Sequence, residues 1–214
     1  MNTVILPVLN EPNLDQFTRK LYTVLEGIGE PFEVLVIMGD KEELRPELTP
    51  RPNQRIVTSY ADSLERAILC GFSVANGSKL LVCDADGSHP LDKVPEMFNA
   101  LEKYDMVVGS RFVDGSVFDQ TPFRKMVSWF FIKLAHLCGC KLKDPMSGFF
   151  AIRKSVLDGI QYKPYHWKIA LETAQKSKGS ICEIPIHFNK RVSATSKTTL
   201  TGGVFLIRDI VSGE

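Results

Sequence analysis

The chain has 214 residues, with 26 Lys and Arg against 25 Asp and Glu and a formal charge of +1 at neutral pH. That length suits one large domain, and 44% hydrophobic residues are ample for a core; so even a charge balance argues against a general nucleic-acid-binding surface. The cysteines (Cys70, Cys83, Cys138, Cys140, Cys182) are odd in number and contain no CxxC pair, which fits a reducing compartment rather than a disulfide framework.

Met1-Asn2-Thr3 runs straight into an apolar stretch with no basic region before it, so no signal peptide is expected. Residues 3–9 read as a short β-branched strand, broken by the capping residues Asn10-Glu11-Pro12-Asn13. Leu14, Phe17, Leu21, Val24, Leu25 and Ile28 then recur at helical spacing, with Gly27 and Gly29 at the end. Residues 32–38 are a near-continuous apolar run, as expected for a parallel strand covered on both faces. A charged, proline-bearing loop (41–53) and a short third strand (55–59) follow. Asp62-Ser63-Leu64-Glu65 has the form of a capping box ahead of a helix carrying Ala67, Ile68, Gly71, Phe72 and Ala75, stopped by Asn76-Gly77.

Next comes Lys79-Leu80-Leu81-Val82-Cys83-Asp84-Ala85-Asp86-Gly87-Ser88-His89-Pro90, an apolar strand that ends in two carboxylates and a turn. Two carboxylates at a strand's carboxyl end suit a hard divalent cation, Mg²⁺ or Mn²⁺, which prefers oxygen ligands and shares them with substrate phosphates. The pattern suggests a nucleoside diphosphate bridged by metal to Asp84 and Asp86, while on these residues alone the plainer reading, a solvated Asp-Gly turn, is favoured. Residues 91–104 read as a helix and 105–109 as a strand leading to Ser110-Arg111-Phe112. Repeated β-α units imply an α/β fold, a mostly parallel sheet with helices on both faces and ligands at the strands' carboxyl ends.

Residues 122–140 differ in character. Phe123, Trp129, Phe130, Phe131 and Leu134 alternate with Arg124, Lys125, Lys133 and His136, too short and too charged to span a bilayer. Trp, Phe and Lys on one amphipathic helix suit the membrane interface, and an ordinary helix packed on the sheet fits the same periodicity. None of His89, His136, His166 and His187 has triad or ligand spacing, and His89 stands out only by lying in the carboxylate loop.

Several motifs together resemble family 2 glycosyltransferases of the GT-A fold, and within them the dolichyl-phosphate and polyprenyl-phosphate mannosyltransferases. They are Asn10-Glu11, Asp84-Ala85-Asp86-Gly87-Ser88-His89, Gly109-Ser110-Arg111-Phe112, Asp144-Pro145-Met146-Ser147-Gly148-Phe149, Lys168-Ile169-Ala170-Leu171-Glu172, and Phe188-Asn189-Lys190-Arg191 with Ser196-Lys197. All stand in the family's order, and the resemblance covers nearly all of residues 1–214, read as a single GT-A domain.

The resemblance implies an inverting transfer of a hexose, mannose first, from a nucleoside diphosphate sugar such as GDP-mannose to a polyprenyl or dolichyl phosphate. It implies a cation on Asp84 and Asp86, with Asp86 the direct ligand, and nucleotide contacts from Pro7, Asn10 and Glu11. Arg111, Arg124, Arg191 and Lys197 become the phosphate clamp, and Asp144 and Ser147 lie beside the donor sugar or acceptor phosphate. A phosphate monoester is largely dianionic at neutral pH, so this reaction needs no general base. The expected setting is the cytoplasmic face of a membrane.

The chain departs from the family after the second strand, where Ile37-Met38-Gly39-Asp40 leaves only Asp40 for the base or ribose. Thr58-Ser59-Tyr60-Ala61-Asp62 also replaces a Gly-rich approach to the nucleotide. Two other readings follow: a GT-A enzyme with a hydroxyl acceptor, using Asp144 or Glu172 as base, or a non-catalytic nucleotide-sugar-binding protein.

Overall fold

The computed structural model describes residues 1–39, 48–59, 63–117, 122–137, 139–162 and 168–188. Its strands are β1 (Asn2–Val8), β2 (Phe32–Gly39), β3 (Gln54–Ser59), β4 (Lys79–Val82), β5 (Met106–Ser110), β6 (Phe150–Arg153) and β7 (Ile181–Pro185). The helices are α1 (Leu14–Ile28), α2 (Leu64–Val74), α3 (Val94–Ala100), α4 (Pro122–Leu137) and α5 (Ile169–Lys176). The strands form one seven-stranded sheet in the order β3-β2-β1-β4-β6-β5-β7. Every pairing is parallel except those of β6, which runs antiparallel to both β4 and β5.

The two faces of the sheet are covered by different helices, as the near-continuous apolar strands require. Val4, Leu6, Val34 and Val36 pack with Leu14, Leu21 and Leu25 of α1 and Met97 and Phe98 of α3. On the other face Ile5, Leu35 and Ile37 meet Ala67, Ile68 and Phe72 of α2, Ala135 of α4, and Ile169 and Leu171 of α5. Each large side chain buried this way contributes about 1.5–3 kcal/mol.

Local signals explain the element boundaries. Gly29 takes a left-handed φ of 72° and its N–H bonds to Glu26 O, closing α1. Pro7 is tolerated in a central strand by parity. The Cys83 N–H donates to Ile5 O, so residues of Ile5's parity face β4, and Pro7 lies past the last pair with that strand, Ile5 with Val82.

Two expectations are corrected. The helix read over 91–104 is a short 3₁₀ turn (Leu91–Lys93) followed by α3, with Pro95 in its first turn, and ends at Ala100. The capping box does not form around Glu65: Ser63 is the N-cap and its Oγ accepts from Arg66 N, so Arg66 holds the box acid's position. Glu65 is instead buried, 4% exposed.

β5 passes tightly under the loop that precedes β6. A Cβ added at Gly109 would lie 2.7 Å from Phe149 Cδ1 and 2.9 Å from Ile186 Cγ2, both in the packed interior, whereas one added at Gly27 in α1 meets nothing within 4 Å. Gly109→Ala is therefore expected to lower the unfolding free energy by about 1–3 kcal/mol, and Gly27→Ala to leave it unchanged or raise it by about 0.4–1 kcal/mol. Urea titration of the two variants checks this, and equal stabilities would contradict the packing described.

Candidate active site

The strand ends and loops at the carboxyl edge of the sheet bring together residues distant in sequence. After β4, Gly87 adopts a φ of 79° and Asp86 Oδ1 accepts the Ser88 N–H at 2.9 Å, a local Asx turn that folds the loop back. The Asp84 N–H donates to His89 Nδ1 at 2.9 Å, which leaves the ring proton on Nε2, 3.7 Å from Asp84 Oδ2. His89 is buried, stacked on Phe149 at 4.9 Å and 27° and edge-on to Phe188 at 5.9 Å. The carboxylate loop is thus held from its own backbone and from two aromatic rings.

These residues fit a divalent cation. The Asp84 side chain is 30% exposed and Asp86 is buried beside it in the same turn. Ser88 Oγ is buried with no hydrogen-bond partner among the described residues, an orphaned oxygen in the same loop. No group of three or more His, Cys, Asp or Glu suited to a metal occurs among the described residues, so Asp84 and Asp86 would share the ion with substrate oxygens and water.

Facing this loop is a buried ion pair. Asp144, fully buried, accepts Arg111 Nε at 2.7 Å and Nη2 at 2.8 Å, with the Arg111 backbone N–H also donating to it at 3.0 Å. The Arg111 guanidinium lies 5.5 Å from the Phe112 ring centroid and 5.4 Å from that of Phe188. Glu183 on β7 accepts the backbone N–H groups of Lys143 and Asp144 at 2.7 and 2.9 Å, anchoring the loop from the other side. Two N–H donors in a planar fork make this a charge-assisted pair whose geometry only Arg supplies.

The rest of the 144–149 loop is equally fixed. Ser147 Oγ donates to Gly109 O at 2.7 Å and accepts from Phe149 N at 3.2 Å, so it ties loop to strand. A Cβ at Gly148 would lie 3.8 Å from Asp84 Oδ2 and 3.9 Å from His89 Cε1, which puts this backbone directly against the carboxylate loop. Lys168, just before α5, donates Nζ to Met146 O at 2.9 Å. Burial and the Arg111 charge pull the Lys168 pKa down, while Asp84, Asp144 and Glu65 push it back up. Lys168 and Glu65 therefore belong to this cluster, and neither was assigned to the site from sequence. The signal for Lys168 was its place at the head of a matched segment, and that for Glu65 was obscured by its capping-box position.

β1 is buried through Pro7 and Val8, and the turn after it is sharp. Asn10 takes a left-handed φ of 54°, which Asn tolerates better than most residues, and Glu11 is buried with its carbonyl accepting Leu14 N at 3.2 Å. The N-cap of α1 is Asn13, which makes no side-chain cap bond, so neither Asn10 nor Glu11 caps the helix. Asn13 and, on α1, Gln16 and Lys20 line a cleft of about 300 Å³ with Asp86 and His89. Asp84, Asp86, Arg111, Asp144 and Ser147 are thus brought together, with Pro7, Asn10 and Glu11 at the end of the neighbouring strand. Asp40, Arg191 and Lys197 lie outside the described residues, as does the side chain of Arg124 on α4.

The chain matches the model of glycosyl transferase family 2 over residues 3–161. It is 33% identical over 207 residues to a dolichol-phosphate mannosyltransferase of Pyrococcus furiosus, covering 91% of this chain and 58% of that one. An undecaprenyl-phosphate mannosyltransferase of Micrococcus luteus is 34% identical, with 94% and 87% covered, and a dolichol-phosphate mannosyltransferase of Saccharomyces cerevisiae is 28% identical, with 95% and 82% covered. The fold is similar to that of glucosyl-3-phosphoglycerate synthase from Mycobacterium tuberculosis, solved with Mn²⁺, UDP and phosphoglyceric acid, at a TM-score of 0.65 and 15% identity over 100% of this chain and 76% of that one. With the family match spanning most of the chain and the relatives covering nearly all of it, this protein belongs to glycosyltransferase family 2 and has the GT-A fold.

Proposed function

We propose that the protein transfers a hexose, mannose first, from a nucleoside diphosphate sugar to the phosphate of a polyprenol at a membrane surface. The observation that carries this reading is the state of the carboxylates a hydroxyl acceptor would need. Asp144 is committed to Arg111, and Glu172 is buried on α5 with Oε1 accepting Lys176 Nζ at 2.6 Å. Neither is placed to take a proton from a hydroxyl, which suits an acceptor that arrives already ionised, as a phosphate monoester with a second pKa of about 6 does. The named relatives are polyprenyl-type phosphate mannosyltransferases, which supports the same acceptor class.

The chain's own groups divide the work. Asp84 and Asp86 would hold the divalent cation, Mg²⁺ or Mn²⁺, which when bound offsets charge developing on a diphosphate leaving group. The donor's nucleotide runs toward Pro7, Asn10 and Glu11 at the end of β1, with Asp40 for the base or ribose. Arg111, held by Asp144, presents a rigid guanidinium edge toward the transfer point, and Arg124, Arg191 and Lys197 complete the phosphate clamp. A single in-line displacement by the acceptor phosphate inverts the anomeric centre.

The lipid end of the acceptor has a matching surface. α4 turns Ala135 and Ile132 inward and leaves Met126 59%, Trp129 60% and Phe130 52% exposed, with Lys133 Nζ 5.7 Å from the Trp129 ring. Phe112, Lys125, Met126 and Trp129 line one shallow groove, and Phe112 is also the ring beside Arg111. The apolar groove therefore begins beside Arg111. No helix among the described residues is long and apolar enough to cross a bilayer. On this reading α4 lies along the interface as an amphipathic helix, at the cytoplasmic face. The four described cysteines are free thiols, which suits that side.

Incubation with GDP-mannose, Mg²⁺ or Mn²⁺ and a polyprenyl phosphate is expected to yield a lipid-linked sugar, and Asp86→Ala to abolish metal-dependent nucleotide binding in a thermal-shift assay. Absence of turnover with every sugar nucleotide tried would overturn the reading. Asp144→Asn separates the acceptor classes: loss of an ion-pair partner destabilises the fold by about 3–5 kcal/mol, whereas loss of a base leaves stability intact and slows turnover about 10²–10⁴-fold. In vesicle flotation with anionic lipid, the double variant Trp129→Ser, Phe130→Ser should lose about tenfold or more of its bound fraction, and unchanged flotation would remove α4 from the membrane contact.

A further inference from the structure

In the described cleft, Arg111 cannot be the main source of positive charge for an incoming anion. Its charge is matched at close range by Asp144, which holds Nε, Nη2 and the backbone N–H together. In the same cluster are the carboxylates of Asp84 and Glu65, which with Arg111 and Asp144 act on Lys168, and Asp86 follows Asp84 in its turn; Asp86 and Glu65 are buried. A divalent cation on Asp84 and Asp86 offsets those two and leaves Glu65. The remaining described cation in this cluster is Lys168, whose charge interacts with Arg111, Asp84, Asp144 and Glu65.

Lys168 is fixed by one hydrogen bond. Nζ donates to Met146 O at 2.9 Å, in the loop whose neighbouring Gly148 packs against Asp84 and His89. An ammonium carries three N–H donors, and no hydrogen bond to the other two is found among the described residues. Tying down one carbonyl does not require a charge: a neutral amide would do it without the cost of partly burying an ammonium. The charge and the two remaining donors fit a second partner that is itself anionic.

We propose that Lys168 binds the phosphate of the acceptor, with Met146 O orienting the ammonium and the remaining N–H groups meeting the phosphate oxygens. This rests on the proposed acceptor class and adds a residue to it. Lys168 makes the site selective for an ionised acceptor, because removing its charge leaves Glu65 uncompensated where the anion enters.

The test compares Lys168→Gln, which keeps a donor for Met146 O, with Lys168→Arg, which keeps the charge. Binding of farnesyl monophosphate and of GDP to the Mg²⁺-supplied full chain is measured by calorimetry, with farnesol as the uncharged control. Lys168→Gln should weaken farnesyl monophosphate binding about 10- to 100-fold and leave GDP binding within about twofold, while Lys168→Arg recovers most of the loss. In turnover, the same variant should raise the KM for the lipid phosphate and not that for the donor. Equal binding of farnesyl monophosphate by Lys168→Gln and the parent, or equal weakening of both ligands, overturns the assignment. A parent chain that binds GDP but treats farnesyl monophosphate and farnesol alike overturns the acceptor class itself, and Lys168's role with it.

Discussion

The cleft depends on one buried ion pair. Asp144 is inaccessible to solvent, and an isolated carboxylate there would carry a large desolvation penalty. The penalty is offset because Arg111 meets it with a planar two-donor fork and a backbone N–H, while Glu183 takes the two backbone N–H groups of the same turn. The end of β5, the 144–149 loop and β7 are thereby locked into one unit. Ser147 on Gly109 O and Lys168 on Met146 O extend the lock to the loop's far side and to the start of α5. On the proposed reading two anionic phosphorylated substrates meet here, which needs cations held in place before they arrive, and this pair holds Arg111 in place.

The antiparallel strand makes that arrangement reachable. β6 lies between β4 and β5, and its first residue, Phe150, pairs with Val82 on one side and Val108 on the other. Val82 ends β4, Val108 is the last residue of β5 to pair with β6, and Phe150 is the amino end of β6. The loop entering β6 therefore arrives between the loops leaving its neighbours, with Phe149 under His89 and Gly148 against Asp84. A parallel strand in the same place would put its incoming loop at the opposite edge of the sheet. One reversed strand thus moves a third chain segment to the carboxyl edge, where parallel sheets bind their ligands.

Much of this was legible in the chain and some was not, for physical reasons. The runs that became β1, β2, β4 and β5 are apolar on both faces, and only a sheet covered on both sides produces that pattern. α1 declared itself by Leu14, Leu21 and Leu25, and by Gly29 at its end. Strand direction has no such signature: Phe149-Phe150-Ala151-Ile152 is as apolar as its parallel neighbours, and nothing local says that it runs the other way. Asp84 and Asp86 were recognisable because two carboxylates after an apolar strand are unusual. Glu65 was misassigned because an acid three residues after Asp62 has capping-box spacing whether or not it caps the helix, and only the packing shows it buried. Lys168 was hidden by base rate, since a lysine before a helix is ordinarily solvated, and only tertiary packing brings it to Met146 O.

The same packing bears on the choice of acceptor. Of the carboxylates that the sequence offered as bases, Asp144 is consumed in positioning Arg111 and Glu172 is paired with Lys176. What remains near Asp84 is a cation. On the proposed reading this is a single design with two ends, since Phe112 touches both the Arg111 guanidinium and the apolar groove beside α4. A lipid phosphate is amphiphilic over a few ångströms, and its recognition requires a polar and an apolar surface that meet without a gap. Here they meet at adjacent residues of one turn, Arg111 and Phe112, so whatever fixes the turn fixes the relation between headgroup and chain. That returns the constraint to Asp144, the carboxylate that accepts both the side chain and the backbone N–H of Arg111.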